Sequence, residues 1–282
     1  MIVNGCAMTS PDKFFTINKM KMHYVDQGQG TPIVMLHGNP TWSFFYRNLI
    51  RDLSKTHRVI APDHIGMGFS DKPQDVVLDL AFHIENLTGL LEYLNLENII
   101  LVVHDWGGPI GFGYAVTHLE KISKIVVLNS AAFFDLNMPK RIALARGVFG
   151  KFLIQRLNLF ARAATHMTTI KKLPKEAKQG YLLPYDSYQN RRGIYAFLRD
   201  VPLESDHRTR ALLDSIEGKL HKIKSDILIL WAKEDFCFTE HFLNRWKGFF
   251  PQAKTQVFEN AGHYILEDAF EEVLEEIKEF VQ

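Results

Sequence analysis

Hydrophobic positions along the chain fall into two alternating kinds of run. "FFTI" and "MKMHYVD" read as two opening strands separated by Asn18-Lys19. "PIVMLHG" (32–38) and "RVIAPD" (58–63) are continuous apolar runs, the pattern of parallel strands buried on both faces. Between them, "TWSFFYRNLIRDLSK" carries its apolar residues at helical spacing, and "LAFHIENLTGLLEYLNL" (80–96) does the same. "NIILVVHD" (98–105), a helical run after Gly108, and "KIVVLNS" (124–130) continue the alternation. Strand and helix in this regular succession predict an α/β fold, with a parallel sheet and helices on both of its faces.

The alternation breaks after Ser130. The next stretch is rich in Arg, Lys, Phe and Tyr and reads as several helices, punctuated by Pro174, Pro184 and Pro202, with no strand. Strands resume with "DILILWA" (226–232), followed by a helix near 239–249, "KTQVFEN" (254–260) and a final helix from Glu267 onward. The expected organisation is therefore one α/β core, residues 1–130 and 218–282, interrupted by a helical insertion, residues 131–217. A large insertion between regular strands is expected to lie over an active site as a lid.

Composition narrows the picture a little. A chain of 282 residues with 46% hydrophobic content can bury a large core. Its formal net charge of +1, from 33 basic and 32 acidic residues, gives no steering toward nucleic acid or an anionic membrane. Two distant cysteines, Cys6 and Cys237, argue against a disulfide framework and suit a cytoplasmic setting. "MIVNGCAMTSPDKFF" has no basic start and no long apolar core, so no signal peptide is expected. No run reaches the roughly 18 apolar residues of a membrane span.

The chemistry is carried by "LVVHDWGGPIGFGYA" (101–115). An apolar strand ends in His104-Asp105-Trp106-Gly107-Gly108 and a helical run follows. That is the outline of a nucleophile elbow, with Asp105 where a serine usually stands and Val103 where the serine motif has its first glycine. An aspartate here could simply cap the following helix. As a nucleophile it needs no base to deprotonate it, and a helix amino terminus favours its charge. A carboxylate attacks a saturated carbon bearing a leaving group and forms an alkyl ester, which a histidine-activated water can cleave.

"ENAGHYILED" places His263 just after the last strand, and "WAKEDFCF" places Asp235 just after the strand before it. Glu234 competes with Asp235; the shorter side chain, further into the loop, better suits holding a histidine's second nitrogen. The end of the strand at 124–130 offers only Asn129, which carries no charge. The order Asp105, Asp235, His263 is nucleophile, acid, histidine. In "LHGNPTW" (36–42), Asn39 occupies the loop that normally supplies one oxyanion-hole N–H, and Trp106 follows the nucleophile. Asn39 and the indole N–H of Trp106 are candidate donors to a departing anion, halide or carboxylate.

"HGNPTWSFFYRNLI", "PDHIGMGFSDKP", "VVHDWGGPIGFGYA" and "ENAGHYILED" together resemble the haloalkane dehalogenases over nearly the whole chain. The resemblance implies the α/β-hydrolase fold, with a mostly parallel eight-stranded sheet and an inserted helical cap. It also implies Asp105 as nucleophile, His263 as base, and Asn39 with Trp106 as halide donors. All four tryptophans lie outside the insertion, so the combination resembles the third subgroup of that family. No cofactor or metal is implied.

The stretches "VVLNSAAF", "LLPYDSYQNRRGIYAFLRDVPL" and "DFCFTEHFLNRW" are similar to the β-lactone decarboxylases of bacterial long-chain olefin biosynthesis. These share the dehalogenase site but turn a cis-β-lactone with two alkyl chains into a cis-alkene and carbon dioxide. That resemblance implies a small apolar substrate, attack by Asp105 at the ring carbon bearing oxygen or at the carbonyl, and membership of an olefin-biosynthesis assembly. It leaves the role of His263 open, because no hydrolytic water is formally needed. Phe133, Phe134, Phe149, Phe152, Phe160 and Phe197 are candidates to line a tunnel for the chains. Epoxide hydrolases carry a similar elbow but need cap tyrosines as proton donors, for which Tyr181, Tyr185, Tyr188 and Tyr195 are available.

Overall fold

The computed structural model describes residues 2–3, 6–7, 13–137 and 139–282. Most of the first 12 residues, on which the expectation of no signal peptide rests, and the side chain of Cys6 lie outside the described residues. Eight strands form one sheet: β1 (Lys13–Ile17), β2 (Met20–Gln27), β3 (Pro32–Leu36), β4 (Arg58–Pro62), β5 (Ile99–Asp105), β6 (Ile122–Ser130), β7 (Asp226–Ala232) and β8 (Lys254–Phe258). Their spatial order is β8-β7-β6-β5-β3-β4-β2-β1. Among the described strands of this sheet, β2 pairs antiparallel with β1 and β4, and the remaining pairings are parallel. The central strands are buried along their length, as their unbroken apolar runs require.

The helices between these strands include α1 (Arg47–Leu53), α2 (Leu80–Tyr93) and α3 (Gly107–Ala115). The run at 41–55 begins with a 3-10 turn, Ser43–Tyr46, before α1 takes over. Asp79 caps α2 by accepting from the Phe82 N–H at 2.9 Å. Among the described residues, six α-helices then lie between β6 and β7: α4 (Lys140–Ala145), α5 (Val148–Leu157), α6 (Leu159–Met167), α7 (Lys175–Leu182), α8 (Arg192–Arg199) and α9 (Arg208–Glu217). After β7 come α10 (Glu240–Phe249), α11 (Ile265–Asp268) and α12 (Phe270–Val281). The final helix is thus split at Ala269, where φ is −132°. The carboxylate of Asp268 at the split accepts from the backbone N–H groups of Ile170, Lys171 and Gly262, at 2.8–2.9 Å, which binds this corner to the inserted helices.

The strand order places the site. β3 has β4 on one side and β5 on the other, so the connections leaving β3 and β5 diverge and open a crevice at the carboxyl edge. Helix α3 packs close beneath that edge. A Cβ on Gly107 would lie 2.0 Å from the Leu36 carbonyl oxygen, so only glycine lets α3 start there. By contrast, a Cβ on Gly248, exposed in α10, would meet nothing within 4 Å. Gly107→Ala should therefore cost on the order of 2–4 kcal/mol, whereas Gly248→Ala should add about 0.5–1 kcal/mol. Thermal unfolding of the two variants beside the parent checks both signs; a Gly107→Ala protein melting like the parent would show that the elbow tolerates a side chain.

Candidate active site

Asp105 ends β5 with φ at 51°, the left-handed region, and the β5–β6 register slips at this residue. The turn aims the carboxylate into the crevice instead of along the strand. Ser130 Oγ donates to the Asp105 carbonyl at 2.6 Å and holds the turn from the next strand. A Cβ on Gly38 would fall 2.1 Å from Asp105 Oδ1, so the loop after β3 can pass this close only as glycine.

The two carboxylate oxygens have different surroundings. Oδ1 accepts from the Asn39 backbone N–H at 2.6 Å. The Trp106 backbone N–H also bonds this carboxyl group. Oδ2 faces His263 Nε2 at 3.8 Å. Burial is the largest influence on Asp105 and pushes its pKa up; the charge of His263 and the two N–H groups oppose it without fully cancelling it. The start of α3 therefore does not by itself keep this group low, as sequence position would suggest. Its proton balance depends on the whole arrangement.

His263 Nδ1 lies 2.8 Å from Asp235 Oδ2. Asp235 Oδ1 is itself held by the N–H groups of Cys237 and Phe238, at 2.7 and 3.1 Å. Because Asp235 accepts, Nδ1 carries the proton and Nε2 is turned toward Asp105. Burial pulls the His263 pKa down, but the charge and hydrogen bond of Asp235, joined by the charge of Asp105, outweigh it and leave the pKa raised. Glu234 is exposed, whereas Asp235 is buried. Its loop is anchored by the Glu234 N–H donating to the Ala261 carbonyl at 3.0 Å.

Several positioning residues carry no sequence signal of their role. The Asn129 amide behaves like a peptide group, donating to the Ala232 carbonyl at 3.0 Å and accepting from the Ala232 N–H at 2.7 Å. It splices the ends of β6 and β7 just before the loop bearing Asp235. His104 Nε2 donates to the His263 carbonyl at 2.9 Å, and the Tyr264 N–H donates to the Thr168 carbonyl at 2.8 Å. Asp63 accepts from the N–H groups of Ser43 and Phe69 and from His23 Nδ1, at 2.7–2.8 Å, fixing the "PDHIGMGFSDKP" turn. Neighbouring strand ends and loop N–H groups could have suggested these residues only once their spatial pairing was known.

Asp105, Asn39, Trp106 and His263 share a cavity of about 220 Å³ whose remaining wall is almost entirely apolar. Trp106 makes no side-chain hydrogen bond among the described residues, so its indole N–H is available to a guest. Asn39 Nδ2 donates to the Ile194 carbonyl on α8 at 3.1 Å, and its Oδ1 is buried without a partner. Asn39 therefore joins the core to the inserted helices as well as facing the cavity. Of the six phenylalanines considered, Phe133, Phe134 and Phe160 line the wall. Phe197 instead lies behind Trp106, with its ring stacked on His83 at 4.5 Å. Phe149 and Phe152 face outward at 74% and 53% exposure, because α5 turns that side away from the core.

None of the four candidate tyrosines lines the cavity. Tyr181 bonds Glu267, Tyr185 the Thr41 carbonyl and Tyr195 the Arg146 carbonyl, while Tyr188 lies under the Arg156 guanidinium. An epoxide-opening proton donor is missing from that set.

The chain matches the family model for the alpha/beta hydrolase fold over residues 31–270. It is 43% identical over 278 residues to a cis-3-alkyl-4-alkyloxetan-2-one decarboxylase of Shewanella oneidensis, covering 95% of this chain and 87% of the relative. It is 32% identical over 266 residues to a haloalkane dehalogenase of Mycobacterium marinum, covering 92% and 88%. The solved structure of the haloalkane dehalogenase DatA from Agrobacterium tumefaciens C58 superposes with a TM-score of 0.88 at 24% identity, over 96% of this chain and 95% of that one, and shows the shared fold.

The raised His263 pKa has a stability consequence. The folded state binds this proton more tightly than the unfolded chain, whose histidine has its ordinary value of 6.5. The stabilisation is fully present below that value and is lost as pH rises through the folded-state pKa. Asp235→Asn removes the charge that outweighs burial. It should lower the His263 titration midpoint, read from the imidazole C–H resonances, and destabilise the protein more at about pH 5 than at about pH 9. Equal destabilisation at both ends would mean that Asp235 supports His263 by packing alone.

Proposed function

The chain belongs to the alpha/beta hydrolase fold family, and from that premise we propose that it is a cis-β-lactone decarboxylase acting through Asp105, Asp235 and His263 with Asn39 and Trp106. The observation that carries nucleophilic attack by Asp105 is the asymmetry of its carboxylate; the choice of a lactone substrate rests on similarity. Oδ1 is bound by the Asn39 backbone N–H, the Trp106 N–H also bonds the carboxyl group, and Oδ2 faces His263 Nε2 beside an apolar cavity. The similarity to the Shewanella decarboxylase spans the inserted helices as well as the core, and it exceeds the similarity to the dehalogenase. We take residues 131–217 as the cap that shapes the cavity.

In this reading Oδ2 of Asp105 attacks the ring carbon bearing oxygen, with inversion. The C–O bond breaks, relieving ring strain, and leaves an alkyl ester on Asp105 and a free carboxylate on the substrate. That carboxylate then loses carbon dioxide. The electrons of its C–C bond form the alkene and the Asp105 carboxylate leaves, so the nucleophile is regenerated and no water is consumed. Inversion followed by departure from opposite faces yields the cis-alkene from the cis-lactone. Attack at the carbonyl is less well supported, because the paired backbone N–H groups already hold Asp105 itself and do not await a substrate oxyanion. Asn39 and the Trp106 indole N–H suit the freed carboxylate. His263, held by Asp235, supplies positive charge beside Asp105 when the carboxylate is restored.

Haloalkane dehalogenation is the second reading. It is favoured by the same indole N–H beside Asn39, which would hold a halide equally well, and it would use neutral His263 to activate water against the ester. Residence in the cytoplasm and assembly with other olefin-forming enzymes belong to the main reading, and rest on the similarity to the decarboxylases. Among the described residues no helix is long and apolar enough to cross a membrane.

Purified protein given a synthetic cis-β-lactone with two alkyl chains should release cis-alkene, detected by gas chromatography with mass spectrometry. It should release little bromide from 1,2-dibromoethane. Rapid bromide release without alkene would reverse the order of the two readings. Asp105→Asn should lower alkene formation by at least about 10³-fold, the usual scale for removing a nucleophile. With His263→Gln, alkene formation should persist at a reduced rate, since no hydrolytic step is needed; its complete loss would give His263 an obligatory proton transfer.

A further inference from the structure

The near-neutral charge of the chain conceals a strong asymmetry. Residues 136–175 contain nine Lys or Arg and no Asp or Glu, in a chain whose net charge is +1. The rest of the molecule is therefore net acidic. This basic segment forms α4, α5 and α6 and the turn after them. Lys151, Arg162, Lys172 and Lys175 are exposed, and none has an ion-pair partner among the described residues.

The same segment exposes apolar side chains that a water-facing helix would replace with polar ones. Leu144 is 80% exposed, Val148 87%, Phe149 74% and Phe152 53%. On α5, the residues Val148, Phe149 and Phe152 share the outward side, while Gly150, Ile154 and Gln155 face the protein. Leu159, Met167 and Ile170 extend the exposed apolar surface beyond α5. This surface meets the cavity. Helix α4 sends Ile142 into the cavity wall and Leu144 outward, and Met167 of α6 both lines the cavity and stands about half exposed.

We infer that the outer face of α4–α6 is a docking surface for an anionic lipid bilayer. Exposed apolar side chains interspersed along one segment with unpaired cations are the composition of helices that lie in a membrane surface. The acidic remainder of the molecule would turn this face toward a negative surface. A second copy of the chain fits poorly, since a two-fold contact would set two strongly basic segments against each other. Nucleic acid fits poorly too, because its phosphates would face Leu, Val and Phe side chains. Docking sets the cavity rim at a surface in which a two-chain apolar substrate dissolves. The surface itself does not depend on which reaction the cavity performs.

The test is flotation of the full-length protein with vesicles, which reads binding and not turnover. Wild type should float with vesicles of equal parts phosphatidylglycerol and phosphatidylcholine, and much less with phosphatidylcholine alone. Binding should weaken as ionic strength rises from about 0.1 M to about 1 M, where the screening length shrinks from ~10 Å to ~3 Å. Phe149→Ser with Phe152→Ser should reduce the bound fraction about tenfold or more. Lys151→Glu with Lys172→Glu should reduce it by about fivefold for each side chain changed. All four positions lie outside the proposed catalytic set, and both variants should melt like the parent. Absence of flotation on the anionic vesicles overturns the inference, as does equal flotation of wild type and both variants. A salt-insensitive oligomer in light scattering that the Phe149/Phe152 variant breaks would instead assign the face to a second copy, and would also overturn it.

Discussion

A carboxylate placed almost out of water, at the end of a buried strand and on a left-handed backbone, constrains everything around it. Burying such a charge is costly unless it is paired and hydrogen-bonded. Asp105 meets that requirement with two backbone N–H groups and with His263 beside Oδ2. Each partner then carries a requirement of its own. The Asn39 N–H arrives only because Gly38 has no side chain, and α3 starts where it does only because Gly107 has none. The turn itself is held by Ser130 from the adjacent strand.

The same logic extends outward through loops that would otherwise leave backbone groups unpaired. Asn129 stands in for a peptide between β6 and β7, and Asp63 and Asp268 each gather backbone N–H groups from separate segments. Asn129 and Asp63 sit where strands end, and Asp268 sits at the break between α11 and α12, in each case where regular hydrogen bonding stops. They tie the loops around Asp235, His263 and Asp105 to their neighbours. The cavity beyond them is apolar, so the few charges and donors inside it act with little screening.

The inserted helices serve two surfaces. Inward they supply Ile142, Phe160 and Met167 to the cavity wall, and through Ile194 they accept the Asn39 side chain. Outward they present cations and bare hydrophobic side chains. In the proposed function Asp105, Asp235 and His263 would serve cleavage of a carbon–halogen bond or of a strained ring alike, and discrimination between substrates would fall to the shape and apolarity that the insertion gives the cavity. An insertion that faces both the reacting group and a lipid surface would suit a substrate with long alkyl chains.

Much of this was legible along the chain. Unbroken apolar runs announce buried parallel strands because both faces of such strands are covered, and the elbow, Asp235 and His263 follow because they sit directly after those runs. Along the chain only side-chain length separates Asp235 from Glu234; in the structure Asp235 is buried against His263 and Glu234 is exposed. What the chain could not reveal depends on partners far apart in sequence. The outward turn of Phe149 and Phe152, the raised pKa of Asp105 and the peptide-like role of Asn129 are set by which surfaces meet after folding. Periodicity and local chemistry identify the groups that can react; packing alone decides which are desolvated, which face one another, and which remain on the surface.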